Sequence, residues 1–167
     1  MSRRRLPLHL PAILILAGLV SACAPVRETP PPVPLYEAVA AGDRLVVERA
    51  ASVGEVGRTL YFRQGGARSW IGFGAWDTLC RVRLSDDLAG RQLVPGEQTV
   101  SKVTHGHDML TAEMANVYVE VALAPPGPME SLRCERSIDL SGETYPPLPI
   151  SVDDFQRAVG GYLRFEH

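Results

Sequence analysis

Asn116-Val117-Tyr118-Val119-Glu120-Val121-Ala122-Leu123 places an aliphatic side chain at every second position, with Asn116, Tyr118 and Glu120 between. Successive side chains of an extended strand point to opposite faces, so a period of two marks a strand with one buried side. Val117, Val119, Val121 and Leu123 then face a core, and Tyr118 and Glu120 face outward. This stretch decides the fold class, because the same period recurs on both sides of it. Toward the C-terminus, Leu132 to Ile138 puts Leu132, Cys134 and Ile138 in phase. Leu148, Ile150 and Val152 form a last short strand. Toward the N-terminus, Gln98 to Thr104 is a shorter strand. Leu79 to Leu84 sends Cys80, Val82 and Leu84 one way and Arg81 and Arg83 the other. Arg58 to Gln64 is a strand ended by Gly65-Gly66, and Arg44 to Arg49 is the first, with Leu45 and Val47 on one face.

A helix closes the chain. Ser151 is placed as its N-cap, and Asp154 three residues on completes a capping box with Asp in place of Glu. Val152, Phe155 and Val159 fall at helical spacing, and Gly160-Gly161 ends the element. The expected architecture is mostly β, a sandwich or a partly closed barrel of about seven strands with a C-terminal α-helix.

The N-terminus has a different character. Met1-Ser2-Arg3-Arg4-Arg5 is basic, and an apolar run from Leu6 to Val20 follows, interrupted by Pro7, His9 and Pro11. The run is short for a membrane span and suits a signal-peptide hydrophobic region. Leu19-Val20-Ser21-Ala22-Cys23 resembles the lipobox of bacterial lipoproteins: an aliphatic residue, small residues that a peptidase pocket admits, and a cysteine whose thiol takes diacylglycerol. Residues 1–22 are thus expected to be a lipoprotein signal peptide and Cys23 the acylated residue, holding the protein to a membrane through its lipid. A plain secretory signal cut after Ala22 is the alternative. Ala24 is not Asp, which by resemblance to enterobacterial sorting favours the outer membrane, with the domain facing the periplasm.

Pro25, Pro30, Pro31, Pro32 and Pro34 crowd the stretch that follows. Such a stretch favours polyproline II and, at roughly 3.1 Å per residue, Ala24 to Leu35 reach about 37 Å. Residues 23–35 are therefore read as the acylated cysteine and its tether, and 36–167 as a single globular domain. The leader holds three of the 17 basic residues and no acid, so the remainder sets 17 less three against 19 acidic residues, a net charge of −5. That balance argues against a nucleic-acid partner, which needs a basic face.

With Cys23 taken by lipid, Cys80 and Cys134 remain, both on apolar strand faces in an oxidising compartment. They are expected to pair. Closing a loop of that length stabilises by about 4 kcal/mol in the chain-entropy model. Redox chemistry is disfavoured by the lack of a C-x-x-C spacing.

Two segments carry candidate binding residues. His105, His107, Met109 and Met114 offer imidazoles and thioethers of the kind that hold copper. A solvated hairpin loop, with Met109, Leu110 and Met114 packed on the sheet, accounts for the same residues. Trp70, Phe73 and Trp76 lie among glycines and suit either anchors for a partner or the edge of the core. No G-x-S-x-G, H-E-x-x-H, Walker or Rossmann pattern occurs, so neither a catalytic residue nor a cofactor is assigned. Asp86-Asp87 and Asp153-Asp154 have ordinary structural explanations, a turn and a helix start.

The order of features resembles a group of uncharacterised proteobacterial envelope lipoproteins. The matching pieces are Thr59-Leu60-Tyr61-Phe62-Arg63-Gln64-Gly65, Leu79-Cys80-Arg81-Val82, Val94-Pro95-Gly96, Thr111-Ala112-Glu113-Met114, Leu132-Arg133-Cys134 and the stretch from Ile150 to Gly160. They span about residues 42 to 165. Thr78-Leu79 departs from the aromatic or proline that often precedes the first cysteine. The resemblance implies a shared fold and disulfide and no activity. The expected role is a non-enzymatic binding or structural module with an envelope protein as partner. An inhibitor of an envelope-directed hydrolase and a periplasmic copper-binding protein are the alternatives.

Overall fold

The computed structural model describes residues 30–53, 58–68, 77–85, 92–141 and 147–167. Alternation in β8 (Met114–Leu123) is complete: Ala115, Val117, Val119, Val121 and Leu123 are buried and their neighbours are half-buried. Around it stand β1 (Arg44–Val47), β3 (Thr59–Arg63), β4 (Gly66–Arg68), β5 (Leu79–Leu84), β7 (Gly96–Met109), β9 (Met129–Asp139) and β10 (Leu163–Glu166). They form one eight-stranded sheet in the order β10-β1-β7-β8-β9-β5-β3-β4, antiparallel throughout. β2 (Ala51–Ser52) and β6 (Gln92–Leu93) pair separately. The sheet curls into a half-barrel, so the structure chooses the partly closed barrel over the sandwich.

Lateral rows of paired residues make up the inner face. Val103, Val121, Leu132, Val82 and Leu60 form one row. His105, Val119, Cys134, Cys80 and Phe62 form the next. Two helices lie over this face, α1 (Leu35–Ala38) and α2 (Val152–Val159), which contribute buried Leu35, Phe155, Ala158 and Val159 to one continuous core. Burying each large side chain contributes roughly 1.5–3 kcal/mol.

The expected capping box at α2 is present. The Ser151 hydroxyl accepts from the Asp154 backbone N–H at 3.1 Å, and the Asp154 carboxylate accepts from the Ser151 N–H at 3.0 Å. At the other end Gly160 takes the left-handed conformation at φ 54° and closes the helix. That position also needs a glycine for space, since a Cβ there would stand 2.2 Å from the Cα of Gly65. Gly65 belongs to the two-residue turn joining β3 and β4, where Gln64 and Gly65 both have positive φ, as this tight hairpin requires.

Four expectations need correction. β7 is not a short strand over Gln98–Thr104 but runs from Gly96 to Met109. A bulge between Val100 and Lys102 hides its length, because it moves the inward set from Gln98 and Val100 to Val103, His105, His107 and Met109. Leu148 to Val152 is not a strand. Residues 147–150 are irregular, Ser151 makes a single bridge to Pro34, and Val152 begins α2. The chain ends in a strand rather than in the helix, since β10 follows α2 and pairs with β1. Among the described residues the main sheet holds eight strands, in keeping with the mostly-β, partly closed barrel expected. The packed region also starts slightly before Tyr36: the Val33 carbonyl accepts from the Val152 N–H at 2.9 Å, and Leu35 is buried. Among the described residues no helix is long and apolar enough to cross a membrane.

Candidate functional site

The helices cover the inner face of the sheet, and the outer face carries its polar residues. Register brings together Thr104, Glu120, Arg133, Arg81, Tyr61 and Arg68 in one row across six strands. Beside it run Ala122, Ser131, Arg83 and Thr59. Between these rows lies a depression of about 390 Å³, lined by Arg58, Thr59, Tyr61, Arg81, Arg83, Glu120, Ser131 and Arg133. Four guanidiniums thus border the hollow, with Glu120 as its acidic wall.

Acids at the rim balance part of this charge. Glu130 meets Arg83 at 2.7 Å and Arg58 at 3.4 Å. Glu135 meets Arg133 at 3.0 Å and stands 3.6 Å from Arg81. Arg133 is the best held of the four: it contacts Asp108 at 2.6 Å and lies over the Tyr118 ring with its guanidinium carbon 4.0 Å from the centroid. Burial acts to lower its pKa, but Asp108 and Glu135 outweigh burial and raise it, so it stays charged. Tyr118 in turn lies across Gly106, where a Cβ would stand 3.2 Å from the phenolic oxygen.

Behind this face is the disulfide. Cys80 and Cys134 are direct partners across β5 and β9, fully buried, with Cα atoms 4.0 Å apart and an S–S bond of 2.07 Å. The expected pairing is present. Arg81 follows one cysteine and Arg133 precedes the other, so the bond on the inner face and the arginine pair on the outer face share one register.

The histidine segment is strand, not loop. His105, His107 and Met109 occupy the inner side of β7, paired with Val119, Val117 and Ala115. Met114 falls on the opposite side, across from Asp139 on β9, so the structure does not bring the four proposed copper ligands together. The His105 ring is stacked on Tyr36, centroids 3.8 Å apart and planes 10° from parallel. With Pro147, Pro149 and Ile150 these residues line a cleft of about 220 Å³. Among the described residues no group of three His, Cys, Asp or Glu is placed to hold a metal ion.

A third hollow, about 380 Å³, lies beside α2 between Gln64, Asp77, Arg136, Asp154 and Arg157. Its carboxylates already serve the fold. Asp77 accepts from Arg63 and Gln64, and Asp154 accepts from Ser151 and Arg157 and stands 3.6 Å from Arg136. Cys23, Trp70, Phe73, Trp76 and Asp86-Asp87 lie outside the described residues. The outer-face arginines are not legible as a group in the sequence. The period of two turns Arg81 and Arg83 outward, but nothing linear joins them to Arg133. No protein-family model, curated protein or solved structure matches the chain.

Proposed function

We propose that this chain is a lipid-anchored cell-envelope protein that binds another envelope component without chemical turnover. The leader, the Leu19 to Cys23 lipobox and the proline-rich stretch after it support export, acylation at Cys23 and a tethered domain. The resemblance to envelope lipoproteins supports the same setting, on the outer membrane facing the periplasm.

The observation that carries the binding role is the outer sheet face, where arginine and tyrosine side chains surround a hollow of about 390 Å³. Arg and Tyr are the residues that most often anchor recognition surfaces, and a hollow of this size is in the range of ligand sites. The carboxylates of the described hollow beside α2 are committed to structural bonds, which favours a binding role over hydrolysis.

A photo-crosslinking residue placed at Thr59 in intact cells tests this role, with the same residue at exposed Asp153 on α2 as the control. A defined adduct from position 59, absent from position 153 and lost with Arg83→Glu, is the expected result. Equal labelling from both positions would sink the idea. Mass spectrometry of the membrane-extracted protein should find the acylated residue at Cys23.

A further inference from the structure

We propose that the hollow on the outer face binds a phosphate group, gripped by Arg81 and Arg83, and that the Cys80–Cys134 bond fixes the spacing of the grip. This rests on the binding role given above to the same face and narrows it to a ligand chemistry.

The rim acids offset the charge arrangement only in part. Arg81 and Arg133 are direct cross-strand partners, and Arg83 lies two residues along β5 on the same side. Like charges directly opposed across a sheet destabilise it. The rim acids relieve this unevenly. Arg133 is enclosed by carboxylates and Tyr118, with its side chain 18% exposed. Arg81 has its nearest carboxylate, Glu135, at 3.6 Å and remains 41% exposed. Arg83 is 58% exposed and shares Glu130 with Arg58. Arg133 thus belongs to the framework, while Arg81 presents its cationic fork to the hollow and Arg83, held to Glu130 through Nε at 2.7 Å, borders it at 58% exposure.

A guanidinium fork matches the oxygen spacing of a phosphate and donates two parallel hydrogen bonds to it. Two forks suit a dianion better than a single carboxylate does. The hydroxyls of Thr59 and Ser131 and the phenol of Tyr61 line the same hollow and supply neutral donors for the remaining oxygens. The volume leaves room for the group that bears the phosphate, so the chemistry fits either a free phosphate monoester or the headgroup of a phosphorylated lipid.

Preorganisation comes from behind. Cys80 and Arg81 are adjacent on β5, as are Arg133 and Cys134 on β9, and the disulfide locks these strands in the register that opposes the two arginines. A slip of one residue would turn Arg81 to the inner face.

The test is titration of inorganic phosphate into the full-length chain in non-ionic detergent at low salt, followed by calorimetry and by the Nε–Hε resonances of arginine. Saturable binding with Kd below about 1 mM is expected, and Arg81→Gln or Arg83→Gln should weaken it at least about tenfold. Arg164→Gln, on the β10 edge, should leave it unchanged. In the unaltered protein the Arg81 and Arg83 resonances should move while those of Arg44 and Arg164 stay, a readout independent of whether a variant folds. Absence of saturation, uniform shifts at all four arginines, or unchanged affinity in Arg81→Gln would each overturn the site. Dibutyryl phosphatidic acid supplies the second arm: binding about tenfold tighter than inorganic phosphate assigns a lipid headgroup, and equal or weaker binding assigns a free monoester. Crosslinks from position 59 without phosphate binding would overturn this ligand and leave the binding role intact. Phosphate binding without crosslinks would keep the site and overturn another envelope component as its occupant.

Discussion

Gln98 shows how one side chain joins three parts of the fold. It is buried on β7 and pairs with Leu45 on β1. Its amide nitrogen donates to the carbonyls of Ala124 and Met129 at 2.8 and 2.7 Å, and its oxygen accepts from the Met129 N–H at 3.1 Å. These bonds satisfy backbone groups where β8 hands over to β9. The amide lies so close to Gly127 that a Cβ there would stand 2.2 Å from it. Gln98→Leu keeps the bulk but strips buried backbone groups of their partner, and should cost about 3 kcal/mol in urea denaturation. Gly96→Ala, where a Cβ meets nothing within 4 Å, should change stability far less. In the sequence Gln98 was legible only as a strand residue. Its partners sit 26 and 31 positions away and meet it only after folding.

At the scale of elements, α2 depends on its cap. Burial pushes the Asp154 carboxyl toward a higher pKa, but the Ser151 N–H and hydroxyl, with Arg136 and Arg157, outweigh it and leave the value below the ordinary one. A carboxyl with a lowered folded value contributes stability that is present above its unfolded value, about 3.9, and is lost as pH falls through the folded value. Asp154→Asn should therefore be less stable than the parent at pH 7, and the two should converge in acid, as chemical denaturation at a series of pH values would read. This helix was legible because capping is local chemistry: Ser151, Asp154 and Gly160 carry the signal within ten residues. β10 was not, because Leu163-Arg164-Phe165-Glu166 is too short to show a period and is a strand only through its pairing with β1. β7 was half legible, because the bulge reverses which parity faces the core.

Across the whole molecule, the disulfide ties β5 to β9 across a sequence separation of 54. The intervening residues include β7 and β8, so the bond closes the middle of the sheet. Reduction should lower stability by about 4 kcal/mol, read as a shift in the urea midpoint with and without reductant. The sheet edges are guarded in different ways. β4 is only three residues long, and β10 carries Arg164 and Glu166, tied to Glu48 and Arg44. The sequence by itself determined the faces of β1, β3, β5, β8 and β9, the ends of α2 and the two buried cysteines, because each depends on neighbours a few residues apart. Which outward residues stand side by side was decided by tertiary structure alone. Arg81 and Arg133 meet because an antiparallel register places them there, and no period along the chain encodes a pairing between strands so far apart.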